Sequence, residues 1–226
     1  MAAAGPELDA DRVLALAYVP AARRAAVEAL WRLDAALGQV LAGGREPLIS
    51  RIKLAWWRDA LVGLGDGRPP AEPVLEAVAA HVRSAGIRAA DLALMEEGWA
   101  VLLAQDALGP ADLALYARRR GGMLFNCTAQ LLGRSPGPET ERAGEGWALI
   151  DLARRSGNEA EVDAAVAAAA ERLSGLAERS WPSPLRPLGM LAALAARDVG
   201  RGADAFEPHG APGRMLRMLT YRLAGR

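Results

Sequence analysis

Apolar residues recur along this chain at helical spacing, and no segment shows the strict alternation of β-branched residues that is typical of a strand. Glycine and proline interrupt the pattern, for example at Pro20, at Gly109-Pro110 and across residues 200–213. Helices are predicted near residues 9–18, 21–42, 46–64, 72–84, 88–106, 110–133, 139–155, 159–180, 185–198 and 213–223. The pattern therefore predicts an all-α protein that forms a single-domain helical bundle over residues 1–226.

The most informative helix is predicted over residues 46–64, with the sequence EPLISRIKLAWWRDALVGL. One of its faces presents Ile49, Ile52 and Trp56, and a second face, about 100° round, presents Leu54, Trp57, Leu61 and Leu64. A helix that is apolar on two faces is expected to lie centrally among others, with Trp56 and Trp57 as core rings. The alternative is that Trp56, Trp57, Arg58 and Asp59 contribute to a ligand site.

Charge and composition exclude several classes of function. The chain has 27 basic and 27 acidic residues, so it lacks the basic surplus that a nucleic-acid partner requires. Lys53 is the only lysine, and it does not follow the glycine-rich turn of a phosphate-binding loop. We therefore expect no nucleic acid as a partner and no nucleotide-hydrolysing site.

The chain has one cysteine, Cys127, and two histidines, His81 and His209, so no Cys/His metal cluster can form. Cys127 lies in an apolar stretch and is expected to be a buried, inert thiol. Neither histidine has an acid or a nucleophile at informative spacing, and we expect both to be surface or satisfied residues. These observations predict no catalytic residue and no metal ligand.

No apolar run reaches the length of about 18 residues that spans a membrane, and the first residues do not form a secretory signal. The single cysteine suits a reducing compartment. We expect a cytoplasmic protein, with peripheral contact at the inner face of the membrane as a further option.

Three segments resemble the squalene/phytoene synthase family. EPLISRIKLAWWRDAL, from residue 46, is similar to the family signature and closest to a divergent branch that includes the mitochondrial complex I assembly factor. Residues 9–40 are similar to the opening helices of that branch. Residues 115–133, LYARRRGGMLFNCTAQLLG, resemble a central helix with a tyrosine and a small-residue pair. The resemblance covers most of residues 9–156 and implies an isoprenoid-synthase-type bundle around a cavity that holds prenyl chains.

The chain departs from that family where catalysis would require carboxylates. Catalytic members use two aspartate-rich motifs to hold the Mg²⁺ that ionises a diphosphate. The first motif is expected near residues 38–42, where no carboxylate occurs and Asp34 is the nearest acid. The second is expected within residues 144–159, where Asp151 is followed by Arg154 and by Arg155 in place of an acid. The resemblance therefore implies a member without its metal site.

A basic cluster at Arg118–Arg120 precedes Gly121-Gly122. It either binds a phosphate or an anionic lipid headgroup, or it forms a solvated helix face. Tyr116 either faces the central cavity, as the resemblance implies, or packs in the core. The candidate ligand-binding residues are thus Trp56, Trp57, Arg58, Asp59, Tyr116 and Arg120.

Two functions from different classes remain open at this point. The first is a non-catalytic binding or assembly protein that needs no cofactor. Its partner would be a subunit of respiratory complex I or an anionic prenyl or acyl lipid. The second is an active prenyltransferase that condenses prenyl diphosphates with Mg²⁺. A helical scaffold without a cavity ligand is a third interpretation.

Overall fold

A computed structural model describes residues 5–43, 46–65, 67, 69–104, 107–176 and 179–225. These ranges contain helices and connecting turns and no strand, which confirms the predicted all-α class. The α-helices are α1 (Ala10–Ala17), α2 (Ala21–Ala42), α3 (Pro47–Gly63), α4 (Pro73–Ala77), α5 (Ala89–Val101), α6 (Pro110–Tyr116), α7 (Met123–Leu131), α8 (Pro138–Arg155), α9 (Glu159–Leu173), α10 (Arg186–Arg201) and α11 (Pro212–Ala224).

Four predicted helices differ from the observed elements. The helix expected over 72–84 turns π-helical at Val78–Val82 after α4, and the helix expected over 88–106 ends at Val101. The helix expected over 110–133 is interrupted by a π-helical turn at Ala117–Gly122, which joins α6 to α7. The helix expected over 159–180 ends at Leu173, and Gly175 follows it with a φ of 72°. That left-handed backbone suits glycine and cannot continue a right-handed helix.

Helix α8 lies at the centre of the bundle, where it packs against α7, α9, α10 and the π turn. Its approach to the π turn depends on two glycines. A Cβ atom on Gly121 would lie 2.0 Å from the carbonyl oxygen of Gly144, and a Cβ atom on Gly144 would lie 2.2 Å from that of Gly121. Only glycine at both positions allows the two backbones to come this close.

Helix α3 is buried on one face only, so its expected central position is wrong. Leu54, Leu61 and Leu64 are fully buried and Trp57 is nearly so. The other apolar face is solvent-exposed, with Ile52 at 61% and Trp56 at 46% of their full accessible surface. Periodicity identifies apolar faces but does not reveal whether another helix covers each of them.

Candidate functional site

A buried carboxylate on α2 is the first element of the site. Asp34 lies at a core position of its helix, since Leu30, Leu33 and Leu37 on the same side are all fully buried. Its Oδ1 accepts hydrogen bonds from Trp99 Nε1 at 3.1 Å and from Arg120 Nε at 2.9 Å. Its Oδ2 accepts from Arg12 Nη1 at 3.0 Å and from Arg120 Nη2 at 3.1 Å. A buried carboxylate with these partners is fully satisfied.

The π turn places Arg120 at the centre of the bundle. The side chain of Arg120 is fully buried, whereas that of Arg118, two residues earlier, is exposed. On α5, a Cβ atom on Gly98 would lie 2.8 Å from the Arg120 backbone nitrogen, so α5 packs directly on this turn. Because a π turn inserts an extra residue into a helix, it changes which side chain points inward.

A second buried carboxylate faces Arg120 from α8. Asp151 Oδ2 lies 2.7 Å from Arg120 Nη1 and 3.0 Å from Arg155 Nε, and Asp151 Oδ1 lies 3.1 Å from Arg155 Nη2. Burial alone would raise the pKa of Asp151. The guanidiniums of Arg120, Arg155 and Arg12 outweigh burial and hold that pKa well below its usual range. Asp34 and Asp151 therefore flank one arginine, with a second arginine beside each.

Aromatic rings enclose the Arg120 guanidinium. Its Cζ lies 4.0 Å from the centroid of the Trp99 ring and 5.0 Å from that of Trp147, both within cation–π range. Arg120 Nη1 also donates a hydrogen bond to the Tyr116 hydroxyl. Although burial opposes the charge, Asp34, Tyr116 and Asp151 raise the pKa of Arg120 well above its ordinary value. Burial raises the pKa of Tyr116, so its hydroxyl is neutral.

The central network does not fit a magnesium ion. Each of the four carboxylate oxygens of Asp34 and Asp151 already lies within 3.1 Å of a guanidinium nitrogen. Mg²⁺ requires free carboxylate oxygens in near-octahedral geometry, and here it would meet the positive charges of Arg12, Arg120 and Arg155. These residues form a charge-compensated structural cluster.

A second buried cluster links α1, α8, α10 and α11. Arg214 Nη1 lies 2.7 Å from both carboxylate oxygens of Asp198, and its Nη2 lies 2.9 Å from Asp11 Oδ2. Arg154 Nη1 lies 3.1 Å from Asp198 Oδ2. Burial alone would raise the pKa of Asp11, but hydrogen bonds from His209, Arg214 and the Gly210 amide lower it to about 2.

At this cluster lie three residues of types that can bind a metal, namely Asp9, Asp11 and His209. Their potential ligand atoms lie within 4.8 Å of one another. Their oxygens are engaged elsewhere, since Asp9 caps α1 and pairs with Arg12 while Asp11 pairs with Arg214. His209 has no informative neighbour along the chain because its partner, Asp11, lies 198 positions away.

A cleft of about 730 Å³ opens beside the central network. Its apolar wall includes Leu41, Trp99, Leu102, Leu108 and Leu152, and its polar wall includes Arg155, Ser156, Asn158 and Glu161. A pocket of about 340 Å³ shares Gly38, Trp99 and Arg155 with the cleft and reaches Asp34 and Arg120. The Arg155 side chain is half-exposed, so it is the charged member of the network that a molecule in the cleft could contact.

The six candidate residues fall into two groups. One group lies on α3 and the other on α6 and the π turn, and α5 packs against all three of these elements. Trp56, Arg58 and Asp59 lie on the exposed side of α3, where Arg58 Nη2 pairs with Asp59 Oδ1 at 3.0 Å. Trp57 packs beneath them, with its ring centroid 5.4 Å from that of Trp56. The expectation that both rings belong to the core is correct for Trp57 and wrong for Trp56.

Tyr116 and Arg120 form the other group. Both side chains are buried in the network. The interpretation of the basic cluster as a solvated helix face is therefore correct for Arg118 and wrong for Arg120. The Arg120 guanidinium is already bound by Asp34, Asp151 and Tyr116, which leaves no free edge for a headgroup. The middle residue, Arg119, pairs with Glu97 at 2.8 Å.

The network also contains Arg12, Trp99 and Trp147, which no sequence pattern indicated, and Asp34, which had no predicted partner. One signal was available, because Asp34 interrupts an apolar stripe and a charged residue at a core position requires a partner. The sequence does not identify that partner, because Arg120 lies 86 positions from Asp34 along the chain.

Cys127 is buried as expected, and burial raises the pKa of its thiol to about 12, so it is not a reactive nucleophile. Among the described helices, none combines the length and the apolar character that a bilayer span requires.

Comparison with known proteins places the chain in a family. No curated protein and no solved structure matches it significantly. The family model described as squalene/phytoene synthase matches residues 6–165, which is more than half of the chain and includes α1–α8 with the central network. The all-α architecture agrees with the isoprenoid-synthase fold of that family. The chain therefore belongs to the squalene/phytoene synthase family.

Proposed function

We propose that this protein is a non-catalytic member of its family that uses the helical bundle for binding. Its role would be in assembly, with a subunit of respiratory complex I as the protein partner, by analogy with the divergent branch that its WWRDAL segment resembles. An anionic prenyl or acyl lipid would be the small-molecule ligand. No cofactor takes part in this function.

The observation on which this proposal depends is the position of Arg120 between Asp34 and Asp151. Ionisation of a prenyl diphosphate needs metal ions that several carboxylates hold against the phosphate oxygens. Here the two carboxylates on facing helices bind a fully buried arginine at 2.7–3.1 Å. Removal of that arginine would leave Asp34 with Arg12 and Asp151 with Arg155 as single arginine partners in the core, so the arrangement opposes any exchange of Arg120 for a metal.

The neighbourhood of Trp99 supports the same interpretation. A Cβ atom on Gly38 would lie 2.8 Å from the Trp99 ring, so no larger side chain fits at this position. Residues 38–42 were expected to contain the first carboxylate motif, and at Gly38 the tryptophan occupies the space that a carboxylate would need. The prenyltransferase alternative therefore requires both Arg120 and Trp99 to move.

The open cleft supports a binding role. Leucine side chains and the edge of Trp99 provide an apolar wall that suits a prenyl or acyl chain. Arg155 would meet the anionic headgroup, because it lies on the cleft wall and its side chain is 52% exposed. This assignment replaces Arg120, which is inaccessible. Arg58, the other candidate arginine, lies on a different surface, the exposed side of α3.

The lipid proposal is tested by native mass spectrometry of the purified protein with farnesyl phosphate and phosphatidic acid, with EDTA present. We expect retained lipid in the wild type, less in Arg155→Gln, and wild-type retention in the matched control Arg58→Gln. Equal retention in both variants would contradict the cleft assignment. If no lipid is retained, the lipid part of the proposal is wrong, and co-purification with complex I subunits becomes the test of the assembly role.

A further inference from the structure

Helix α11 exposes leucines on one side while it packs against α10 and α1 with the other. Met218 and Tyr221 are buried against the bundle. On the outer side, Leu216 is 63% exposed, Leu219 is 37% exposed and Leu223 is 81% exposed. Because these positions are spaced by three and four residues, they form a continuous apolar stripe along the helix. A protein surface rarely exposes such a stripe without a function.

The charged residues of α11 itself all have one sign. From Pro208 to Arg226 the sequence contains no acid, and α11 contains Arg214, Arg217 and Arg222. Arg214 is buried and paired with Asp11 and Asp198, as described above. Arg217 and Arg222 have no carboxylate partner within the described residues, and they contact the rings of Tyr221 and Tyr18, respectively.

The fold adds a second acid-free segment to the same surface. Residues 13–27, from α1 into α2, contain Arg23 and Arg24 and no acid. Helix α1 packs against α11, and the Arg222 guanidinium lies 5.3 Å from the centroid of Tyr18 at the end of α1. Arg24 Nη2 donates to the carbonyls of Ala17 and Val19, which fixes it beside the same corner. Val13 is 53% exposed on α1.

We propose that α11 and the α1–α2 corner form a docking surface for an anionic lipid bilayer. The leucines would enter the interface between headgroups and acyl chains, and Arg23, Arg217 and Arg222 would contact lipid phosphates. A short helix with an apolar stripe and flanking arginines is typical of peripheral membrane binding. Arginines without acids nearby add to the attraction of a negative leaflet, because no internal carboxylate competes for them.

The exposed apolar face of α3 differs in this respect and does not support the same inference. Glu46 precedes its first residue, Asp59 lies within it and pairs with Arg58, and Glu96 of α5 lies 4.0 Å from the same arginine. The whole chain has no net charge, so the two acid-free segments that meet at α11 are a local concentration of positive charge and not a consequence of overall composition.

Vesicle co-sedimentation tests the proposal, with vesicles of phosphatidylcholine alone and of phosphatidylcholine mixed with phosphatidylglycerol. We expect the full chain to bind the mixed vesicles and to be released by high salt. Arg23→Gln combined with Arg217→Gln should weaken binding by about fivefold for each arginine removed. Leu216→Ser combined with Leu223→Ser should abolish sedimentation. All four residues are at least partly exposed, and circular dichroism melts would verify that the variants fold.

Matched controls are available on α3, where Leu48 and Ile52 are as exposed as Leu216 and where Arg51 and Lys53 are also exposed. Leu48→Ser with Ile52→Ser, and Arg51→Gln with Lys53→Gln, should leave vesicle binding unchanged. The proposal is overturned by three outcomes: no binding of the wild type, binding that does not depend on phosphatidylglycerol, or an equal loss of binding in the α3 controls. An acidic protein as the true partner would produce the first of these.

Discussion

Arg120 binds Asp34 through two parallel hydrogen bonds, from Nε to Oδ1 at 2.9 Å and from Nη2 to Oδ2 at 3.1 Å, and both side chains are fully buried. This bidentate geometry is the strongest form of an arginine–carboxylate pair. The third nitrogen, Nη1, contacts Asp151, so one guanidinium joins α2 to α8. The stability of the bundle should therefore depend on Arg120.

Arg120→Met should lower the free energy of unfolding by about 3–5 kcal/mol, because it leaves Asp34 and Asp151 as buried charges with fewer partners. Urea denaturation monitored by circular dichroism would measure the change. Arg118→Met is the matched control, since Arg118 is exposed two residues away, and its effect should stay within about 0.5 kcal/mol. Equal effects of the two substitutions would show that the network contributes little.

Gly121→Ala should destabilise the protein by more than the usual cost of overpacking, which is about 1–3 kcal/mol. The new methyl group would lie 2.0 Å from the Gly144 carbonyl oxygen, so α8 and the π turn would have to separate. Gly157→Ala provides the control, because a Cβ atom there meets no atom within 4 Å. A thermal melt of Gly121→Ala that matches the Gly157→Ala melt would contradict the close helix contact.

Much of the architecture could be predicted from the sequence, since helix bounds follow from apolar spacing and from proline and glycine. The network could not be predicted, for a physical reason. Its members lie on six elements, namely α1, α2, α5, α6, the π turn and α8, and the π turn selects Arg120, rather than Arg118 or Arg119, as the inward residue. A pattern read at 3.6 residues per turn does not contain that extra residue.

Trp57→Ala should cost about 3–5 kcal/mol of unfolding free energy, because the ring is 9% exposed and lies on the face of α3 that packs against α5. Trp56→Ala should cost about 1 kcal/mol or less, the size of one aromatic pair contact. Chemical denaturation of both variants would measure the difference. Equal large losses would indicate that another part of the molecule covers Trp56.

The two tryptophans also show that the sequence predicts the faces of a helix but not which of them is buried. Adjacent residues on a helix point about 100° apart, so the spacing correctly places Trp56 and Trp57 on different faces. Whether a face is buried depends on the neighbouring helices. Here α5 covers the face of Trp57, and no helix within the described ranges fully covers the face of Trp56.

Acid should destabilise the protein through Asp11. Its pKa is about 2 in the folded state and 3.8 in its ordinary state, so folding favours the ionised carboxylate. The resulting stabilisation is complete above the ordinary pKa and is lost as the pH falls from about 4 to about 2. Asp11→Asn should be less stable than the wild type at neutral pH and should lose less stability over that interval. Parallel pH profiles for the two proteins would contradict this assignment.

The central claim, that arginine has replaced the metal site, is tested most directly by diphosphate release. Purified wild-type protein would be incubated with farnesyl diphosphate or geranylgeranyl diphosphate and Mg²⁺, beside a catalytic member of the family as the positive control. We predict no release above that of a heat-inactivated sample, with the protein still folded at the end of the incubation. Release that depends on Mg²⁺, and that is lost in Asp34→Asn, would contradict the claim and would establish a prenyltransferase.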